Sequence, residues 1–154
     1  MAVQRAAIHA SASNAVYSVR NSLVIQSWCK LKTRLESSNP LISIIVATYE
    51  AKNTLCRCLE SIFNQNYSNV ELIVIDGGSI DGTVGIIKNY SEKISYWISE
   101  PDTGIYNAWN KGLDHATGEW ICFLGADDYL WSSGVFERMS SHLTGAYPEF
   151  RLVY

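Results

Sequence analysis

The sequence predicts an α/β protein in which a mostly parallel sheet lies between helices in a three-layer α/β/α sandwich. Three observations point there. Short apolar runs rich in Ile and Val recur along the chain, segments with apolar residues at helical spacing separate them, and each run ends in a polar or acidic turn. Near-continuous apolar strands alternating with helices are the pattern of a parallel sheet covered on both faces.

Residues 41–47 are a β-branched run of strand length. Asn53 is placed to cap a helix in which Leu55, Leu59, Ile62 and Phe63 fall at i, i+4, i+7 and i+8. Residues 70–75 form a second buried strand, and Asp81-Gly82 opens a weaker helix toward Tyr90. Residues 94–98 are a short third strand. A clear helix follows, with Ile105, Ala108, Trp109, Gly112, Leu113 and Ala116 on one face. Residues 120–124 are a fourth strand. Val135, Phe136, Met139 and Leu143 mark a fourth helix, and residues 150–154 start a fifth strand.

The chain has 154 residues, of which 47% are hydrophobic, and a formal net charge of −3. That apolar content is too high for a mostly disordered chain. The acidic balance argues against a nucleic-acid partner. No apolar run is long enough to span a membrane. The mild net charge hides a switch. Residues 1–39 carry Arg5, Arg20, Lys30, Lys32 and Arg34 against Glu36 alone, five basic groups to one acidic. Residues 40–154 carry 7 basic and 14 acidic groups. Two regions with different roles are expected: a basic leader or helix over 1–39, and a domain over 40–154. Val16, Val19, Leu23, Trp28, Leu31 and Leu35 recur near helical period, with Arg20 and Arg34 interrupting the apolar side. A leader without specific role, a transit peptide and a peripheral membrane-surface helix all fit that segment. Cys29, Cys56, Cys58 and Cys122 form no zinc or disulfide spacing and are expected to be free thiols, which fits a reducing, cytoplasmic location.

Ligands of open α/β sheets bind beyond the carboxyl ends of the strands, so the residues after each strand matter most. They are Thr48-Tyr49-Glu50, Asp76-Gly77-Gly78-Ser79, Glu100-Pro101-Asp102 and Gly125-Ala126-Asp127-Asp128. Asp76, Asp102, Asp127 and Asp128 would converge if the strands are neighbours. Such a cluster calls for a cation or for hydrogen-bond donors. Structural readings stand beside this one: a tight turn with an Asp81 helix cap, a solvated Asp127-Asp128 pair, a solvated Lys111, and packing roles for Tyr49 and Trp109. Neither a G-x-G-x-x-G nor a G-x-x-x-x-G-K-[ST] fingerprint is present, which disfavours dinucleotide dehydrogenases and P-loop enzymes.

Residues 41–131 resemble the nucleotide-sugar half of family 2 glycosyltransferases, which have the Rossmann-like GT-A fold. Ile45-Val46-Ala47-Thr48-Tyr49 resembles the opening strand and its uracil-side loop, with Glu50 where the family usually has Asn. The run from Ile75 to Thr83 resembles D-D-G-S-x-D-G-T, with Asp76 matching the acid that contacts the base and Gly77 in place of the second acid. The run from Ser99 to Gly112 resembles a segment of a bacterial subgroup that builds surface polysaccharides and exopolysaccharides. Asn110 and Lys111 match it, and Trp109 stands where many relatives have Arg. Phe123-Leu124-Gly125-Ala126-Asp127-Asp128 resembles F-L-D-A-D-D, with Gly125 replacing the first acid.

The resemblance implies an inverting glycosyltransferase that takes a nucleoside-diphosphate sugar donor, UDP-linked, and passes the sugar to the hydroxyl of a glycan or lipid-linked acceptor. It implies donor contacts from Thr48, Tyr49, Glu50, Asp76, Asp102, Asn110, Lys111 and Asp127. It also implies Mg2+ or Mn2+ on Asp127 and Asp128, neutralising the diphosphate. For Asp102 a helix-capping role competes with donor binding. The general base is expected beyond Tyr154, so residues 40–154 are expected to be an incomplete GT-A domain. The alternative is an inactive half-domain that serves as a binding or assembly module. A cytoplasmic site at the inner face of the membrane follows if residues 1–39 bind anionic lipid.

Overall fold

Seven consecutive residues, Ile42–Thr48, form strand β1, and all seven are buried. Their β-branched side chains favour the extended backbone. Burial on both faces is what makes β1 the centre of the sheet. The computed structural model describes residues 39–146. The expected leader helix and the strand at 150–154 lie outside the described residues.

β1 pairs in parallel with β2 (Val70–Asp76) on one side and β4 (Trp120–Gly125) on the other, and β3 (Tyr96–Ser99) adds in parallel to β2. The order is β3-β2-β1-β4. The register sets Thr48 beside Asp76, Asp76 beside Ser99 and Ala47 beside Gly125. The polar strand ends therefore share one edge.

Three helices connect the strands, α1 (Leu55–Phe63), α2 (Thr83–Asn89) and α3 (Ile105–Leu113), and α4 (Val135–Ala146) follows β4. Leu55, Leu59, Ile62, Ile87, Phe136 and Leu143, from α1, α2 and α4, pack with Ile42, Ile44, Val46, Leu72 and Val74 in one core. Ala108 of α3 packs with Ile45, Ala47, Ile73 and Ile75 in a second core on the opposite face. Fully burying each such Ile or Leu contributes roughly 1.5–3 kcal/mol. No helix among the described residues is long and apolar enough to cross a membrane.

The structure departs from the sequence reading in three places. Asn53 does not cap α1. The N-cap is Thr54, without a side-chain cap, and the first turn is tied instead by the Leu55 and Thr54 amides donating to the Ala51 carbonyl. The third strand begins two residues later than expected, because a short 3-10 turn at Ser91–Lys93 delivers Ile94 to the core before pairing starts. Among the described residues the sheet is not covered evenly. On β4 burial alternates, leaving Ile121 38% and Phe123 40% exposed. α3 is the helix on that face and sits over the central strands, so Ile105 and Leu113 at its ends are also exposed.

At the opposite end of the sheet, Glu71 holds the α3–β4 turn. Its Oε1 accepts from the Ser43 hydroxyl, from the Thr117 amide at 2.6 Å and from the Gly118 amide at 3.0 Å, while Oε2 accepts from Thr117 Oγ1 at 2.9 Å. Burial pushes its pKa up, but the hydrogen bonds from Ser43, Thr117 and Gly118 outweigh it and hold the carboxyl below its ordinary value. The stability this adds is present above the unfolded-state pKa and is lost as pH falls through the folded one. Glu71→Gln is expected to cost about 1 kcal/mol at neutral pH, after allowance for solvent screening. Urea midpoints of the two proteins should converge in acid. A constant gap down to pH 3 would contradict this account.

Candidate functional site

The chain runs from β1 to β2 to β3 toward one edge, then crosses to the other side of β1 to form β4. The direction switches between β1 and β4, the place where open α/β sheets bind ligands. An open cleft of about 220 Å3 lies there. Tyr49 and Glu50 after β1, Gly125, Ala126 and Asp127 after β4, and Ile105 of α3 line it.

On the β4 side, two acids close over a glycine. A Cβ on Gly125 would stand 2.6 Å from Asp127 Oδ1 and 3.3 Å from Asp128 Oδ2, so both carboxylates lean over the glycine. The Gly125 amide donates to Asp128 Oδ2 at 3.3 Å. Cys58, buried behind them, registers their charge. Burial first, then Asp128 and Asp127, push its thiol up to about 12. Burial alone raises Cys122 to about 11. Among the described residues Cys56, Cys58 and Cys122 are free.

Two carboxylates together match the usual protein share of a Mg2+ or Mn2+ site, in which phosphate and water complete the shell. The four acids expected to converge do not form one cluster. Among the described residues no group of three or more His, Cys, Asp or Glu could hold a metal ion. Asp76 and Asp102 belong to neighbouring turns, and Asp127 and Asp128 stand apart after β4.

Asp76 departs from the role the resemblance implies. It is 0% exposed. Its Oδ2 accepts from the Gly78 amide at 3.1 Å, the Ser79 amide at 2.9 Å and Ser99 Oγ at 2.6 Å, and its Oδ1 accepts from Ser79 Oγ at 2.6 Å. The carboxylate faces its own turn and Ser99, with no exposed surface. Ser79 and Ser99 thus have structural roles that the strand-end reading missed.

The β1 turn is tied to the β2 turn. Ser79 Oγ accepts from the Glu50 amide at 2.8 Å, and Glu50 Oε1 accepts from the Ile80 amide at 2.8 Å. Glu50 has φ +49, a left-handed conformation that favours Asn or Gly, and these two bonds hold it there. The N-cap of α2 is Gly82, without a side-chain cap, and Asp81 before it accepts from the Thr83 amide through Oδ1 at 2.9 Å. The Thr48 hydroxyl is buried and has no hydrogen-bond partner among the described residues.

Asp102 Oδ1 accepts from the Gly104 amide at 2.8 Å at the head of α3. Lys111 Nζ pairs with Glu100 Oε1 at 2.8 Å and donates to the Pro101 carbonyl at 3.2 Å, which pins the Asp102 turn to α3. Asn110 is exposed on the same helix, and Tyr49 is 67% exposed. Arg57 escaped the sequence reading because it lies on the exposed side of α1 and follows no strand. Its guanidinium donates to the Asp127 carbonyl at 3.4 Å and lies 4.3 Å from the centre of the Tyr129 ring.

A parallel sheet with a cleft at its switch point and a pair of acids after the last strand defines a GT-A-type α/β domain. The chain belongs to glycosyl transferase family 2, whose model matches residues 43–145. A PGL/p-HBAD biosynthesis glycosyltransferase of Mycobacterium bovis is 36% identical over 118 residues, 75% of this chain and 46% of that protein. The chain therefore spans about half the length of the curated relative it matches. The crystal structure of S. aureus TarS 1-349 in complex with UDP is similar with a TM-score of 0.61 at 25% identity, covering 70% of this chain and 33% of that one. The mannosyltransferase PcManGT of Pyrobaculum calidifontis, in complex with GDP-Man and Mn2+, shares the fold with a TM-score of 0.63 at 22% identity, covering 80% and 39%.

Because the Gly125 Cα is where the two acids meet, Gly125→Ala is expected to displace them. Metal affinity in the presence of nucleotide should fall about 10–100-fold while the unfolding midpoint changes little. Titration calorimetry with Mn2+ checks this, and an unchanged affinity would remove the acid pair from the site.

Proposed function

We propose that this chain is the donor-binding part of an inverting glycosyltransferase that uses a nucleoside-diphosphate sugar, UDP-linked, with a divalent cation. One observation carries the reading: Asp127 and Asp128 close over Gly125 at the switch-point cleft. Asp127 and Asp128 would hold Mg2+ or Mn2+, which supplies positive charge to a leaving diphosphate. Without a cation, an acid pair at this position would repel that diphosphate.

The exposed Tyr49 ring offers a stacking surface for the base. Thr48, Glu50, Asp102, Asn110 and Lys111 are the further donor-side residues. Lys111 acts by holding the Asp102 turn through Glu100 and Pro101. The acceptor is the hydroxyl of a glycan or lipid-linked carrier in polysaccharide or glycan synthesis. The basic residues of 1–39 would attach the protein to the anionic inner face of the membrane, in the cytoplasm. The family match and the UDP complex of TarS support the donor class.

Calorimetric titration of the full chain with UDP, with and without Mn2+, tests this. Binding should be tighter with Mn2+. Asp127→Ala/Asp128→Ala should abolish that metal dependence. A folded protein that binds no nucleoside diphosphate with Mn2+ present would refute the donor reading. A double variant that keeps its metal dependence would refute the ligand assignment alone.

A further inference from the structure

The cleft needs an acceptor for the edge of a base, and Asp76 is sealed away from it. Its neighbour Gly77 has no side chain and stands against Tyr49, which lines the cleft. The space above Gly77 is already filled. A Cβ there would stand 2.9 Å from Asp102 Oδ2 and 3.2 Å from Tyr49 Cδ2. A carboxylate from the β3–α3 turn and the edge of an exposed aromatic ring thus meet at one point. Asp102 Oδ1 is committed to the Gly104 amide. Oδ2 has no hydrogen-bond partner among the described residues, and it is the oxygen directed at Gly77.

We infer that Asp102 is the base-reading residue of the cleft: its Oδ2 accepts an imino N–H from a base laid on Tyr49, and Gly77 is glycine because that carboxylate occupies its side-chain space. The inference rests on the donor reading above and sharpens its substrate class. An ionised carboxylate only accepts hydrogen bonds. It selects bases that offer an imino N–H at that edge, namely uracil and guanine. It opposes cytosine and adenine, whose ring nitrogen at the same place is an acceptor. Two acceptors facing each other leave both unpaired, which is how a hydrogen-bonding site rejects a near-isostere.

The support around Asp102 fits such a role. Lys111 anchors Glu100 and Pro101 on its N-terminal side, and the Gly104 amide fixes Oδ1 on the other. Gly78, at φ +85, passes 3.3 Å from the Pro101 nitrogen by the same Cβ measure, so the two turns are packed backbone to backbone. The carboxylate is thereby held before a ligand arrives.

Asp102→Asn separates base reading from the turn bond, because the Asn Oδ1 accepts from the Gly104 amide as the Asp Oδ1 does. The full chain with Mn2+ is titrated with UDP, GDP, CDP and ADP. The native protein should prefer UDP, GDP or both over CDP and ADP by about tenfold or more, the scale of one hydrogen bond to a charged group. Asp102→Asn should erase that preference with an unchanged unfolding midpoint, since an amide can turn its NH2 toward cytosine. Gly77→Asp/Asp102→Gly, which returns a carboxylate from the other side of the same space, should restore it. If Asp102→Asn keeps the native preference, or the native protein shows none, Asp102 only holds its turn and this inference fails while the donor reading stands. If the native protein binds none of the four, the donor reading fails with it.

Discussion

The buried Asp76 carboxylate is the interaction on which the strand edge depends. Burying a charge is costly unless donors replace the water it loses. Asp76 accepts from four donors, two backbone amides of its own turn and the hydroxyls of Ser79 and Ser99. The turn after β2 is shaped around those oxygens, and Ser99 locks the end of β3 to it. Ser79 extends the tie to β1 by accepting from the Glu50 amide. Three strand ends are thus held by one anion. Were Asp76 replaced by an apolar residue, the donors left behind would each be unpaired, and the turns carrying Glu50 and Asp102 would lose their common reference.

The acids of this edge therefore divide by what satisfies them. Asp76 and Asp81 are satisfied by the fold itself. Asp127 and Asp128 are instead exposed to solvent. They crowd one glycine, and beyond the 3.3 Å contact from the Gly125 amide they add negative potential that reaches the Cys58 thiol behind them. Arg57 reaches only the Asp127 carbonyl. A pair of like charges in that arrangement is relieved by a cation. The fold therefore leaves this pair open to solvent or to a cation, while it satisfies the acid two strands away with donors of its own.

How much of this was legible in the sequence follows the same division. β1 and β2 could be read directly, because uninterrupted Ile and Val runs have one structural meaning at that length. The order of polar turns located the functional edge. The evenness of coverage was not legible. The run at 120–124 is as apolar as β1, but among the described residues it pairs on one side only and leaves Ile121 38% and Phe123 40% exposed, and pairing is a property of the topology. Asn53 looks like a cap from composition alone, yet the Ala51 carbonyl already closes the first turn. Among the site residues, the sequence identified every acid but not which one faces the cleft. That depends on register. Asp76 stands beside Thr48 and Ser99 in neighbouring strands, and this pairing brings the Ser99 hydroxyl onto its Oδ2.

α3 then becomes more than a connector. It is the helix on its face of the sheet, seated through Ala108 and through Gly112, which lies directly against Ile45. Lys111, one residue away, carries that seating to Glu100 and Pro101, and from there to Asp102. The position of the Asp102 carboxylate is consequently set by how closely a helix backbone approaches the middle of β1. A side chain at 112 would meet Ile45 Cγ2 at 2.3 Å inside the core, where neither partner has room to yield. The helix would lift, and the Asp102 turn would move with it. Core packing and ligand geometry are one constraint here, which is why small residues stand at 108 and 112 on a helix whose ends remain exposed.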